Sequence, residues 1–274
     1  EAGGRLLLLD VANVAVAARS LPAPEVEHFL LPGAGMVLAR TIGLDATGHP
    51  ILTRWTHIGQ AVSRMGPPVT LPLLEVLGAT TSGGETYVVA TQLAAQGAVA
   101  RLFRLEDDGT LETLFTGETG SSPTGPVAVV DTPDGPAAVL GLSDGDLATV
   151  PLDGAPWRRT RMISFSTVHS IARAPLTGRV LLTKPGDGAI FQYDMSPSNG
   201  DGTGGAFEWS AQLRGEPTYI DVAEAIGEIA VANEADNDVD VLELGTGRWL
   251  GRSSLSLGLG SADGSAGGVV APYS

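Results

Sequence analysis

Residues 217–244, PTYIDVAEAIGEIAVANEADNDVDVLEL, constrain the chain more than any other stretch. A short run with apolar Tyr219, Ile220 and Val222 reaches a turn at Gly227. A second run, residues 228–233, meets a polar turn at 234–238, and a third run covers 239–244. Short runs that alternate apolar and polar residues and are split by Gly, Asn or Asp turns form antiparallel strands rather than helix. Residues 249–257 read as a fourth, outer strand.

The same unit recurs along the chain. One copy has runs at 74–78, 86–91, 98–105 and 110–115, with turns at 80–84, Gly97 and 106–109. The next has runs at 125–130, 136–142, 147–152 and 158–165. A third has runs at 168–173, 179–183 and 189–194, followed by a Gly/Ser/Asn/Asp loop at 196–205. Toward the N-terminus, residues 5–10, 14–18 and 25–31 form a first group, which the PGAG of 32–35 ends. Residues 41–44 and 50–55 form a second, closed by Gly66-Pro-Pro68 and Pro72. The period is about 45 residues, the length of a four-stranded propeller blade. The 37 glycines and 18 prolines supply the turns that so many short strands require.

The expected architecture is all-β, a six-bladed β-propeller forming a single domain over residues 1–274, with seven blades as an alternative. The C-terminal GGVVAP of 267–272 reads as an inner strand without outer strands, and the N-terminal group has outer strands without an inner one. A first blade built from both termini, with Val269 and Val270 beside residues 6–9, would remove the open edges of the ring. A β-sandwich is the other arrangement weighed, and it leaves the repeat unexplained.

The net charge of −15 disfavours nucleic acid and anionic membrane as partners. There is no cysteine, which excludes disulfides, thiol catalysis and thiolate metal sites. The longest apolar run, residues 6–18, is broken by Asp10 and Asn13 and is too short for a membrane-spanning helix. The first residue, Glu1, is not an initiator methionine, which points to a removed leader or a trimmed end, and the compartment stays open.

Several stretches resemble the lactonase family of propellers, which includes 6-phosphogluconolactonase-like and carboxymuconate-cyclase-like proteins. The RLFRLEDDGTL of 101–111 is similar to that family's strand and DGTL turn. The LSDGDLATVPLDG of 142–154 resembles its YSGGSV…PLDG segment. Val168-His-Ser170 with the PLTGR of 175–179 is similar to its PHS…PxGR, and Asn233-Glu234 with 239–244 resembles its NE…VxV. The resemblance covers roughly residues 85–245 and implies a propeller enzyme acting on a small cyclic molecule. Two family arginines are replaced here, by Ala189 and within Pro217-Thr-Tyr219, so a less anionic substrate is expected.

His169 and Glu234 are the candidate acid–base pair, which requires both within hydrogen-bond reach of one substrate proton. Residues at equivalent strand ends of adjacent blades converge on a central channel. The other reading is a structural histidine and a turn glutamate. Trp55 and His57 at a strand end suit a pocket wall, and Trp209 and Tyr219 are candidate channel-lining residues; core packing is the alternative for each. Gly141-Leu-Ser-Asp-Gly145 matches G-x-S-x-G, but a strand follows where the nucleophile elbow needs a helix, so Ser143 reads as a hairpin residue. The acidic run 234–240 has oxygen ligands for Ca²⁺ without the spacing of an EF-hand. Adjacent Arg158 and Arg159 should point to opposite faces of a strand and lie at the surface. His28, His49 and His57 lack metal-ligand spacing, and nucleotide-binding loops are absent.

The chain is therefore read as a monomeric small-molecule enzyme of cyclase, isomerase or lactonase type, with no metal or cofactor. It would work in a pocket at the channel mouth, favouring an intramolecular ring closure or a cycloaddition by holding a reactive conformer. The alternative is a non-enzymatic propeller that binds a protein or glycan.

Overall fold

The structure is a computed structural model that describes residues 7–8, 19–20, 26–33, 36–44, 50–58, 61–70, 75–94, 97–174, 178–196, 205–233, 235–236 and 238–254. The strands gather in two compact units, Glu1–Glu118 and Thr119–Ser274.

In the first unit, β1 (Leu7–Leu8) pairs with β2 (Arg19–Ser20). A four-stranded antiparallel sheet follows: β3 (Val26–Gly33), β4 (Met36–Leu44), β5 (Pro50–Ile58) and β6 (Ala61–Thr70), side by side in chain order. Next comes a sheet of β7 (Glu75–Ser82), β8 (Glu85–Ala94), β9 (Gly97–Leu105) and β10 (Leu111–Gly117). Val69 of β6 packs with Val88, Ala90, Phe103 and Leu105, so an apolar layer joins these two sheets.

The second unit repeats the meander three times. Its sheets are β11 (Pro123–Thr132) to β14 (Arg158–Thr160), through β12 (Gly135–Leu142) and β13 (Leu147–Pro151); β15 (Ser170–Arg173) to β18 (Ala206–Gln212), through β16 (Arg179–Lys184) and β17 (Ala189–Asp194); and β19 (Pro217–Ala223) to β22 (Trp249–Ser254), through β20 (Glu228–Asn233) and β21 (Asp238–Glu243). Each sheet runs in chain order, and the first strands β11, β15 and β19 are neighbours.

The sheets face one another through buried aliphatic layers. Val139 and Leu147 of one sheet pack with Val180, Leu182 and Phe191 of the next. Leu181 and Ile190 pack in turn with Ile229, Val231 and Leu242 of the third. Opposite faces of β16 thus serve different cores, because successive strand residues point to opposite sides. Each such fully buried side chain contributes roughly 1.5–3 kcal/mol.

The all-β class and the recurring four-stranded antiparallel sheet agree with the sequence-based expectation, and β17 and β20 occupy the very residues expected. Several boundaries differ, among them the first strand of the β3–β6 sheet, the turn at 80–84, which lies partly inside β7, and the end of β14. Residues 25–31 were assigned to the first group, whereas Val26–Gly33 is the first strand of the sheet holding β4–β6. Pro32 and Gly33 end a strand that pairs with the next one, so they mark a hairpin rather than a group boundary. Residues 158–165 were expected to be one strand, but β14 stops at Thr160. Beyond it, the N–H of Met162 bonds the Asp146 carboxylate and that of Ile163 the Tyr193 hydroxyl, so side chains replace the strand ladder. Pro67 and Pro68 lie inside β6, which pairs on one side with β5; an edge strand tolerates prolines. Val269, Val270 and the expected seam between the termini lie outside the described residues.

Candidate active site

One end of the second unit gathers the chemistry. The β12–β13, β16–β17 and β20–β21 turns lie there, as do the starts of β11, β15 and β19. The segments that lead into those first strands, residues 119–122, 161–169 and 213–216, reach the same end.

His169 sits just before β15. Its backbone N–H donates to the Thr183 carbonyl at 3.0 Å, and its Nδ1 lies 2.9 Å from the Thr218 carbonyl oxygen. A carbonyl only accepts, so Nδ1 carries the hydrogen and Nε2 keeps a lone pair in the neutral ring. The Thr218 carbonyl accepts a second bond from Thr183 Oγ1 at 2.8 Å, and Thr218 Oγ1 donates to Ala232 O at 3.1 Å. Thr183 and Thr218 are buried, so the acceptor that orients the imidazole is itself fixed. The Tyr219 ring meets the imidazole edge to face, centroids 5.2 Å apart and planes at 83°. His169 is exposed, Tyr219 is 38% exposed, and no described residue hydrogen-bonds Nε2. The arrangement fixes one tautomer on an exposed imidazole and leaves Nε2 chemically available as a proton acceptor.

Beneath this surface lies Lys184, fully buried at the end of β16. Its ammonium donates to Gly145 O at 3.0 Å and Ser164 O at 2.7 Å and sits 5.9 Å from the centroid of the Phe191 ring. Burial pulls its pKa down to about 8, against the opposing charges of Asp187, Asp146 and Asp144. Ser166 Oγ donates to Asp187 Oδ1 at 2.6 Å. Segment 161–169 is thus held at Met162, Ile163, Ser164 and Ser166 before it delivers His169.

Two arginines anchor this end from the outermost strands. Arg159 of β14 bonds Asp146 at 2.8 Å, Asp144, and Thr119 O at 3.2 Å. Arg252 of β22 bonds both oxygens of Asp240 at 2.8 Å, Asp238 at 2.9 Å and Arg214 O at 2.6 Å. Burial pushes the Asp240 carboxyl up, but hydrogen bonds from Arg252, Trp249 and Asn233 overcome it and hold the group below the usual carboxylate range. Asp144 is held low in the same manner: Ser121, the Asp146 N–H and Arg159 outweigh its burial.

The sequence-based candidates distribute as follows. His169 and Tyr219 come together. Glu234 lies outside the described residues, and its pairing with His169 with it. Trp55 and His57 are on β5, with side chains outside the described part. Trp209 is on β18, the outermost strand of its sheet, packed against the apolar layer around Leu181 and Leu242; the structure does not bring it to His169. Ser143 occupies the β12–β13 hairpin, where its N–H bonds Ser122 O at 2.8 Å. Arg158 and Arg159 do point apart, the first to Asp134 and the second to Asp144 and Asp146, and both side chains stay about equally and partly exposed. In the acidic 234–240 turn, Asp236, Asp238 and Asp240 all face Arg252, which supplies the positive charge. Among the described residues, no group of three or more His, Asp or Glu is arranged to hold a metal. Lys184, Asp146, Arg159 and Arg252 were not foreseen as a set. The spacing Asp-x-Asp followed by an arginine, at 144/146/159 and again at 238/240/252, is the signal that would have found three of them.

No family model matches the sequence, and no curated protein matches it significantly. Solved structures do resemble it. A protein from Lactobacillus plantarum is 14% identical with a TM-score of 0.54, the match covering 90% of each chain. The periplasmic gluconolactonase of Pseudomonas aeruginosa is 13% identical with a TM-score of 0.58, over 88% of this chain and 74% of that one. A chain of a nidogen/laminin complex is 13% identical with a TM-score of 0.57, over 90% of this chain and 88% of that one. At such identities the likeness shows the fold, an all-β propeller, and a lactonase is among the proteins that share it.

Proposed function

We propose that this propeller is a small-molecule enzyme of lactonase type, with proton transfer at His169 Nε2. The carrying observation is the imidazole itself: exposed, held through Nδ1–H on the Thr218 carbonyl, with Nε2 left without a hydrogen bond from any described residue. Nε2 takes a proton from water as the water oxygen bonds to the ester carbonyl carbon. The ring C–O bond then breaks, and the departing oxygen receives the proton back from Nε2. The same base serves the reverse ring closure or an isomerisation that moves one proton. Likeness in fold to a gluconolactonase supports the reading. The test is turnover of glucono-δ-lactone and simple γ-lactones by the wild-type chain and by His169→Gln. Loss of roughly 10²–10⁴ in kcat is expected; an unchanged kcat in the variant overturns the role of His169.

A second reading, a protein-binding propeller, draws on likeness to the nidogen/laminin complex and on the exposed Ile163 and Phe165. On that reading no lactone is turned over and small metabolites leave the melting temperature unchanged.

A further inference from the structure

The segment that delivers His169 also presents Ile163, 63% exposed, and Phe165, 87% exposed. This is not a loose loop with a stray aromatic. The N–H groups of Met162 and Ile163 are taken by Asp146 and the Tyr193 hydroxyl, the Ser164 carbonyl by Lys184, and the Ser166 hydroxyl by Asp187. The Phe165 backbone lies so close to Gly145 (φ +87°) that a Cβ there would sit 2.7 Å from the Phe165 carbonyl. Buried side chains and a glycine hold the backbone in place while the phenyl ring points away from the core.

The segment itself carries almost no charge, while Asp187 bonds Ser166 and Asp146 bonds the Met162 N–H beside it. From Met162 to Ile171 the sequence is MISFSTVHSI, with no ionisable side chain except His169, and the facing start of β19 is PTYI. The other exposed large apolar residues of this unit, Phe207, Ile226, Trp249 and Leu250, lie on outer strands or at the opposite end of the sheets. The Ile163 and Phe165 side chains present a few hundred Å² at most, below the roughly 800 Å² per partner of a stable protein interface and on the scale of a small ligand.

We propose that Phe165, with Ile163, forms the apolar subsite of the His169 site, and that the substrate is a neutral cyclic ester bearing an apolar substituent. This rests on the lactonase reading above. His169 and Phe165 are four residues apart, about 13 Å when fully extended, within the length of a ring with a medium alkyl or aryl arm.

The experiment compares γ-butyrolactone with γ-decalactone on the wild-type chain, Phe165→Ser and His169→Gln. Phe165 is so exposed that its replacement leaves the core intact. The wild-type chain should prefer the decalactone through KM. Phe165→Ser should raise the decalactone KM roughly ten- to a hundred-fold, the equivalent of one buried phenyl group, and leave butyrolactone and both kcat values unchanged. His169→Gln should lower kcat for both. A decalactone preference that survives in Phe165→Ser overturns the subsite and leaves the lactonase reading standing. If the wild-type chain opens neither lactone, the lactonase reading fails. Titration calorimetry with γ-decalactone then decides the subsite: binding lost in Phe165→Ser upholds it, and binding absent or equal in both proteins overturns it.

Discussion

Lys184→Met isolates the one ammonium that this chain buries completely among its described residues. Methionine keeps the length of the stem and removes the charge. The folded-state pKa is about 8 against an ordinary 10.5. Between those values the unfolded chain holds the proton and the folded chain releases it, so stability rises with pH across that window. The rise is about 3 kcal/mol, from roughly 1.4 kcal/mol per pKa unit. In the variant that proton is absent and the rise disappears, while every other titrating group is common to both proteins. Urea denaturation at intervals from pH 7 to 10.5 gives the difference in unfolding free energy. It should move in favour of the wild type by about 3 kcal/mol over this range. At pH 7 the difference itself should be small, because relief of a buried charge offsets two buried carbonyls left without a donor. A difference constant with pH would refute the reasoning, since it would mean that Lys184 titrates as a solvated amine.

Asp240→Asn tests the acidic side of the fold. The Asp240 carboxyl is held low, so its stabilisation is present above the ordinary carboxylate range and lost as pH falls through its folded-state value. The variant should be less stable at pH 7 by about 1.5–3 kcal/mol, because the amide weakens the charge-assisted bonds from Arg252 and Trp249 while Asp238 still pairs Arg252, and its acid unfolding curve should be shallower. Gly247→Ala should cost about 1–3 kcal/mol in denaturant unfolding: the position has φ +67° and a Cβ would collide with the Trp209 ring. Leu182→Ala should cost about 2–5 kcal/mol by the same assay, because its side chain is wholly enclosed between two sheets.

Most of the strands in the second unit were legible because their interiors are β-branched or aliphatic and their ends carry Gly, Asn or Asp. β17, AIFQYD, and β20, EIAVAN, are of this type. β18, AFEWSAQ, escaped notice: it is an outer strand with both faces largely wet, so its pattern carries little apolar contrast. β14 was drawn too long because RRTRMISF alternates like a strand; only Asp146 and Tyr193, distant in sequence, reveal that its backbone bonds leave the ladder. His169 was legible from the VHS resemblance. Lys184 was not, since a lysine after VLLT reads as a solvated strand end. Its burial depends on a glycine carbonyl 39 residues away in the neighbouring sheet. The same ammonium also holds the Ser164 carbonyl, next to Phe165.

Arg159 and Arg252 each reach from the last strand of a sheet to the segment that enters its first strand. Each guanidinium therefore works as a buckle across the whole width of its sheet. Fraying of β14 or β22 cannot begin at the His169 end without breaking a multiply bonded arginine. Amide exchange in those strands should accordingly start from the far rim, around residues 152–158 and 244–249. The His169 end of the second unit stays closed while its other end breathes.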